Sequence, residues 1–282
     1  MQKIFNLVDA RFSHHRAHTN TDSTVAGVDS SSVIWDRSLS DLDRPSFYSH
    51  ETILSSDKKT KNNYGLIFES RAIIPQTYSM VEKHIPEFRS FYTHNSEFLK
   101  KYEKCKWIPG GGIWVGGTFG LGAIAVHKKS KLCSMVSSGK AMCDLHVARQ
   151  DYFNRLQSYK FIDFFGGNYG WTPIARTLED YMFSIAVENF ADELYFTEKI
   201  LNCFATGTIP IYLGARNIGD LFNIDGIISF NNFEELDQVV SSITPEYYLS
   251  KIDAIYDNFE ICKNYRCIED FITNNYNVDE HA

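Results

Sequence analysis

Short apolar runs alternate along this chain with segments of helical periodicity. The apolar runs predict strands at Ile4–Val8, Ser32–Trp35, Tyr64–Phe68, Ile113–Val115, Leu132–Val136, Ile162–Phe165, Phe183–Val187, Ile209–Leu213 and Gly226–Phe230. The periodic segments predict helices at Gln76–Lys83, Ser96–Tyr102, His146–Ser158, Thr197–Phe204, Phe233–Val240 and Pro245–Asn264. Strands that alternate with helices usually pair in parallel, so this rhythm predicts an α/β fold with parallel sheets.

The 282 residues suffice for two domains of ordinary size. The boundary is expected in the glycine-rich segment 109–130, which either lines a cleft between the domains or is a plain linker. No G-x-G-x-x-G follows a strand there, and no G-x-x-x-x-G-K-[ST] occurs in the chain. The sequence therefore gives no support for an NAD-dependent dehydrogenase or a P-loop ATPase.

The charge balance and the cysteine pattern restrict partners and compartment. Lys and Arg total 28 against 35 Asp and Glu, and the net charge of −7 argues against nucleic acid as a partner. No run approaches the roughly 20 apolar residues of a membrane span, and the first residues are typical of a strand rather than a signal peptide. We expect a cytoplasmic protein, although a membrane-anchored origin is not excluded, with six reduced cysteines: Cys105, Cys133, Cys143, Cys203, Cys262 and Cys267.

The segment 183–215 reads as a buried strand, a polar loop, a helix and a second buried strand. Thr197 is placed to cap the helix, and Glu198 and Lys199 follow in its first turn. A lysine there opposes the helix dipole, which makes sense if an anion binds at this end. Since ligands of α/β sheets bind at the carboxyl ends of strands, the segment predicts a phosphate site.

This segment resembles the signature of the α-1,3-fucosyltransferase family, glycosyltransferase family 10. The matching residues are Glu188-Asn189, Tyr195-x-Thr197-Glu198-Lys199, Gly207-Thr208-Ile209-Pro210 and Gly214. Phe190 departs from the pattern, because the family usually has Ser there. A second stretch, Arg149 to Lys160, resembles a family helix whose leading arginine binds the donor phosphates. The likeness extends over residues 132–265 and gives that role to Arg149.

The resemblance implies a GT-B fold, in which two Rossmann-like domains face each other across a cleft. Residues 1–125 would form the acceptor domain and residues 130–265 the donor domain, while residues 266–282 would cross back to the first. The implied reaction is metal-independent, inverting transfer of fucose from GDP-fucose to a hydroxyl of a glycan acceptor. Alternatives are a different nucleotide sugar as donor, or a non-catalytic carbohydrate-binding protein on the same fold.

The resemblance also implies roles for particular residues. Lys199 and Arg149 would stabilise the departing diphosphate, as guanidinium and ammonium groups do elsewhere. Glu198 would hold ribose or sugar hydroxyls, and four more residues would complete the donor site: Glu188, Asn189, Tyr195 and Thr197.

Glu69 is the candidate general base. It closes an apolar strand, and Phe68-Glu69-Ser70-Arg71 with Pro75 resembles the family's G-E-N-x-x-P, whose glutamate would take the acceptor proton. The alternative is a surface ion pair between Glu69 and Arg71. If Glu69 is not the base, Asp9 and Glu87 are the next carboxylates to consider.

Two further clusters imitate metal sites. His14, His15 and His18 lack a second group of ligands at zinc-site spacing, so a polar loop is expected there. Asp41 and Asp43 imitate the D-x-D of metal-dependent glycosyltransferases, but no strand precedes them and the resembled family uses none. We therefore expect no metal and no cofactor.

Overall fold

Two parallel sheets dominate the computed structural model, which describes residues 2–9, 27–55 and 62–278. The first sheet has the order β2-β1-β3-β4-β5-β6. Its strands are β1 (Lys3–Val8), β2 (Val33–Asp36), β3 (Ser46–Ser49), β4 (Asn63–Ile67), β5 (Ser90–Thr93) and β6 (Cys105–Trp107). The second has the order β11-β10-β9-β7-β8, from β7 (Lys131–Val136), β8 (Ile162–Phe165), β9 (Tyr181–Val187), β10 (Ile209–Leu213) and β11 (Ile228–Ser229).

The described residues also form α-helices, which directly follow five of these strands. They are α1 (Pro75–Val81), α2 (Ser96–Lys101), α3 (Asp144–Arg155), α4 (Glu198–Thr206), α5 (Phe233–Ser242), α6 (Pro245–Ser250), α7 (Ile252–Cys262) and α8 (Ile268–Asn275). Among the described residues, no helix is both long and apolar enough to pass through a bilayer. The predicted α/β class with parallel sheets is confirmed.

Two predicted elements differ from the structure. Ile113–Val115 is not a strand, because the N–H groups of Trp114 and Val115 bond the side chain of Asn202 instead of a neighbouring strand. The helix predicted over Pro245–Asn264 is two helices, α6 and α7, separated by Lys251 with a non-helical backbone. The sequence pattern also did not predict β3, β5 and β6, because each of these strands contains only two hydrophobic residues.

Both sheets reverse their winding direction at one point. In the first sheet the chain runs outward from β1 to β2 on one side and to β3 on the other. In the second sheet β7 has β8 on one side and β9 on the other. Open α/β sheets bind ligands at the carboxyl ends of the strands beside such a switch point, so the ends of β7 and β9 mark the expected site.

The two halves share an apolar core. One cluster of buried side chains joins Phe47 and Tyr92 of the first sheet to Phe196, Leu201 and other residues around α4. Helix α4 contributes apolar side chains to this core, and hydrogen bonds cap the helix at both ends. Thr197 accepts the Lys199 N–H at the start, and Gly207 ends the helix with φ 70°, a conformation that glycine adopts without strain.

Helix α8, near the end of the described chain, packs on the first sheet. Glu269 accepts a hydrogen bond from the indole of Trp35 at 2.8 Å. Asp270 accepts hydrogen bonds from the hydroxyls of Ser30, at 2.5 Å, and Ser32, at 2.6 Å. These bonds tie α8 to β2, an edge strand of the first sheet, and to the residues just before it.

Asp270 should make stability depend on pH. Burial alone would raise the pKa of its carboxyl, but hydrogen bonds from Ser30 and Ser32 outweigh burial and lower it to about 2. A lowered carboxyl pKa contributes stability above the unfolded value near 4, and that contribution disappears as the pH falls to 2. We expect Asp270→Asn to cost about 2 kcal/mol at pH 7 and almost nothing at pH 2, measured by urea unfolding. A difference that does not change with pH would contradict this assignment.

Candidate active site

A cleft of about 320 Å³ lies between the two halves. The first half contributes Phe68 and Glu69, which directly follow β4. The second half contributes residues at the ends of β7 and β9 and in the first turn of α4. The cleft lies at the carboxyl ends of the strands, where the switch points of the two sheets predict a ligand site. The volume of the cleft is typical of a small-molecule site.

Glu188 organises the start of α4 from behind the cleft wall. It follows β9 and is fully buried. Its Oε1 accepts the Thr197 N–H at 2.9 Å, and its Oε2 accepts the Thr197 hydroxyl at 2.7 Å and the Lys199 ammonium at 3.1 Å. Burial raises the pKa of Glu188, and the nearby Lys199 charge counteracts that rise.

Lys199 is held in one position by three oxygens. Besides Glu188, its Nζ lies 3.1 Å from Glu198 Oε1 and 3.0 Å from Thr197 Oγ1. Burial alone would lower the pKa of Lys199, but the charges of Glu188 and Glu198 outweigh it and raise the pKa above its ordinary value. Lys199 therefore presents a fixed positive charge at the N-terminus of α4, where the helix dipole adds to the positive potential.

Arg149 places a second cation on the cleft wall. It lies on α3 and is buried, with Nη2 donating to the Ser138 hydroxyl at 3.1 Å. Its Nε is buried and has no hydrogen-bond partner among the described residues. Burial lowers the pKa of Arg149, and the charges of Glu188 and Glu198 act against that shift. A guanidinium with an unused donor is suited to bind an anion.

Asn189 connects the two halves across the cleft. Its Nδ2 donates to Glu69 Oε1 at 3.2 Å, and its Oδ1 accepts the Tyr195 hydroxyl at 2.9 Å. The Tyr195 ring lies against His94 of the first half, with ring centroids 4.3 Å apart. Gly110 packs on the same ring, and a Cβ there would lie 2.5 Å from it, so a larger residue would displace Tyr195.

Glu69 is buried and held by several neighbours of the first half. Its backbone N–H donates to His50 Nε2 at 3.2 Å, and its Oε1 accepts the Ser70 N–H at 2.9 Å. Its carbonyl accepts the Tyr78 hydroxyl at 2.8 Å. Burial lowers the pKa of the neighbouring His94 to about 4, so that ring is neutral near pH 7. The alternative pairing of Glu69 with Arg71 is not what the structure shows, because Arg71 pairs with Glu97.

The loop between β7 and α3 was not predicted as part of the site. Lys140 of this loop lines the cleft, as does His146 in the first turn of α3, whose Nδ1 accepts the Met142 N–H of the loop at 3.3 Å. Gln150 donates to the Lys140 carbonyl at 2.7 Å, so α3 fixes this loop at both points. Burial and the nearby Arg149 charge lower the pKa of His146 to about 4. The position of this loop at the carboxyl end of a strand was the signal that could have identified it.

Most of the predicted site residues meet in this cleft. Glu188 supports the cleft wall from behind. The other seven predicted residues line the cleft: Glu69, Arg149, Asn189, Tyr195, Thr197, Glu198 and Lys199. The alternative carboxylates Asp9 and Glu87 do not line it. Asp9 forms an ion pair with Arg37, and Glu87 forms one with His84.

The candidate metal motifs do not form a metal site in the described residues. Within residues 2–9, 27–55 and 62–278, no group of three His, Cys, Asp or Glu side chains could hold a metal ion. Asp41 pairs with Arg44 at 3.3 Å and accepts the Asp43 N–H at 3.0 Å. The cluster of His14, His15 and His18 lies outside the described residues.

Sequence comparisons match between about two fifths and two thirds of the chain. A family model for the C-terminal part of glycosyltransferase family 10 (fucosyltransferase) matches residues 125–278. The chain is 31% identical over 142 residues to alpha-(1,3)-fucosyltransferase B of Drosophila melanogaster, covering 44% of this chain and 30% of that protein. It is 26% identical over 203 residues to GDP-fucose protein O-fucosyltransferase 3 of Xenopus laevis, and this match covers 66% of this chain and 40% of that protein. The matched regions thus span well under half of these relatives.

Solved structures of an α1,3-fucosyltransferase share the fold. One has a TM-score of 0.53 and 14% identity and covers 92% of this chain and 81% of its own. Another, solved with GDP, has a TM-score of 0.52 and 15% identity. The match covers 89% of this chain and 83% of that structure's chain. At this identity the likeness concerns the fold, and it confirms the predicted GT-B arrangement of two Rossmann-like domains facing a cleft.

The family match covers more than half of the chain and includes α4, which bears the Glu198-Lys199 pair. The fold is the one found in a solved α1,3-fucosyltransferase. The chain belongs to glycosyltransferase family 10, the fucosyltransferase family.

Proposed function

We propose that this chain is an inverting fucosyltransferase that takes fucose from GDP-fucose, passes it to a glycan hydroxyl and needs no metal ion. One observation carries the proposal. Lys199 and Arg149 meet beside the switch point of the second sheet, and Glu69 of the other half lines the same cleft. Structures of the fold neighbours with GDP and with GDP-fucose support the choice of donor.

The donor's diphosphate would lie against the start of α4. Lys199 and Arg149 offer positive charge there, and the dipole of the helix adds to it. Glu198 would accept hydrogen bonds from ribose or sugar hydroxyls, since its carboxylate lines the cleft. Glu188 acts as a positioning residue, because its two oxygens already hold Thr197 and Lys199.

The reaction is a single displacement at the anomeric carbon of fucose. A bond forms from the acceptor oxygen to that carbon while the bond from carbon to phosphate oxygen breaks and GDP leaves. The proton of the acceptor hydroxyl passes to the Glu69 carboxylate. Lys199 and Arg149 stabilise the charge that grows on the departing diphosphate, without any metal ion.

The two halves divide this work. Residues 1–125 carry Glu69 and would bind the acceptor, whereas residues 130–265 carry Arg149 and Lys199 and would bind the donor. Residues 266–282 would return to the first domain, a proposal supported by the hydrogen bonds of Glu269 and Asp270 to the start of the chain.

Calorimetric titration with GDP in EDTA tests the donor site. We expect wild-type protein to bind one GDP without metal and Arg149→Gln to bind it about tenfold to a hundredfold more weakly, the value of a charge-assisted hydrogen bond. Arg155→Gln is the matched control, because Arg155 lies on the same helix, is exposed and stacks over Phe233. It should bind like wild type.

Other outcomes separate the alternatives. Loss of GDP binding in EDTA that manganese restores would contradict metal independence. Stronger binding of UDP, CMP or TDP than of GDP would indicate a different nucleotide sugar. Tight GDP binding with no turnover of any donor would favour a carbohydrate-binding protein on this fold.

A further inference from the structure

The Glu69 carboxylate receives a hydrogen bond from the opposite half of the protein. Asn189 Nδ2 donates to Glu69 Oε1 at 3.2 Å, and the Ser70 N–H donates to the same oxygen at 2.9 Å. An ionised carboxylate only accepts hydrogen bonds, so two donors on one oxygen fix the direction in which the group points. The orientation of a carboxylate in the first half therefore depends on a residue of the second half.

The Asn189 amide is itself held in one orientation. Its Oδ1 accepts the Tyr195 hydroxyl at 2.9 Å. Burial raises the pKa of Tyr195 well above its ordinary value, and the charges of Glu69 and Glu188 act in the same direction, so the phenol keeps its proton and donates. With a donor at its oxygen and a carboxylate at its nitrogen, the amide cannot flip without losing both bonds. Asn189 therefore presents an N–H group to Glu69.

Tyr195 is fixed by rings on two sides. The centroids of the Tyr195 and His94 rings lie 4.3 Å apart. His94 Nε2 lies 3.3 Å from the Glu69 carbonyl oxygen, so one histidine contacts both the ring of Tyr195 and the backbone of Glu69. Phe190, the residue that departs from the family pattern, packs on the same tyrosine at 6.1 Å with its ring at 60°. This packing keeps the Tyr195 hydroxyl at Asn189.

The backbone of Asn189 is fixed as well. Its carbonyl accepts the Cys143 thiol at 3.1 Å. The preceding residue, Glu188, is buried, and its N–H donates to the Leu213 carbonyl at 2.9 Å. A displacement of about 1 Å at a reacting group can cost a factor of about 100 in rate, so a support of this kind matters for a base.

We propose that Asn189 and Tyr195 are positioning residues for Glu69: the Tyr195 hydroxyl fixes the Asn189 amide, and that amide holds the Glu69 carboxylate in place for the acceptor hydroxyl. This inference rests on the proposed function, because it requires Glu69 to be the base. It differs from the role in donor binding that the resemblance implies for both residues. The half that binds the donor would thereby align the base of the other half.

Two variants test this role. Asn189→Ala removes the amide and should lower kcat for transfer by about tenfold to a hundredfold, whereas Tyr195→Phe removes only the hydroxyl and should lower it by about threefold to tenfold. Both should keep the wild-type affinity for GDP and for GDP-fucose in calorimetric titrations without acceptor. Tyr159→Phe is the matched control, because its hydroxyl bonds Asp237 at 2.8 Å outside the cleft, and it should transfer at the wild-type rate.

A double-mutant cycle tests whether Asn189 acts through Glu69. In a Glu69→Gln background, Asn189→Ala should cause little further loss of kcat, because no base remains to be positioned. If the two losses multiply instead, Asn189 acts independently of Glu69 and the inference is overturned.

The remaining outcomes also decide. Weaker binding of GDP-fucose with unchanged binding of GDP would assign Asn189 to the sugar and overturn the inference, as would an unchanged kcat in Tyr195→Phe. That single-atom change decides the matter if Asn189→Ala proves unstable in urea unfolding. If wild-type protein transfers no fucose, or if Glu69→Gln transfers normally, the proposed function fails first, so the two failures can be told apart.

Discussion

Lys199→Ala should lower kcat by on the order of 10²–10³. The ammonium lies at the N-terminus of α4, and in the proposed reaction it meets more negative charge in the transition state than in the bound donor. The substitution also removes the partner of a fully buried carboxylate, Glu188. We expect about 3 kcal/mol of lost stability at pH 7, measured by urea unfolding beside the steady-state kinetics.

A double variant separates the two effects. Lys199→Met with Glu188→Gln removes the buried charge of Glu188 together with its partner, so part of the stability should return while turnover stays low. The stability gap between Lys199→Ala and wild type should also narrow as the pH falls, because an unpaired Glu188 with a raised pKa takes up a proton. Near-normal turnover by Lys199→Ala would reduce Lys199 to a structural role.

Glu69→Gln should reduce fucose transfer by about 10²–10⁴ and leave GDP affinity unchanged. The glutamine keeps the size of the side chain and can still accept hydrogen bonds from Asn189 and the Ser70 N–H. It cannot take the acceptor proton. Transfer to a glycan acceptor and GDP titration should be measured on the same preparation.

Glu97→Gln is the control for this substitution. Glu97 is an exposed carboxylate of the first half, paired with Arg71 outside the cleft, and its variant should transfer at the wild-type rate. A Glu69→Gln variant that transfers normally would rule out Glu69 as the base. Equal loss in both variants would indicate damage to the domain rather than to the chemistry.

The residues that the second half contributes to the cleft could be predicted from the sequence because most of them are contiguous. Glu188 to Lys199 form one strand-loop-helix unit, and local rules of capping and strand ends place that unit correctly. Arg149 joins it from the neighbouring strand-helix unit.

Trp114 and Asn202 show what the sequence does not predict. They are separated by 88 positions, and the contact exists only because α4 packs beside the segment between the domains. The apolar run Ile113–Val115 looks like a strand, but tertiary hydrogen bonds to a side chain replace the strand ladder. Similarly, the bond of Asn189 to Glu69 spans 120 positions and depends on the arrangement of both domains.

The release of GDP from a panel of nucleotide sugars tests the central claim most directly. Wild-type protein in EDTA, without acceptor, should slowly convert GDP-fucose to GDP and free fucose in equal amounts, and Lys199→Ala should do so at least tenfold more slowly. Intact GDP-fucose after prolonged incubation, with UDP-, CMP- or TDP-sugars consumed instead, would contradict the proposed donor.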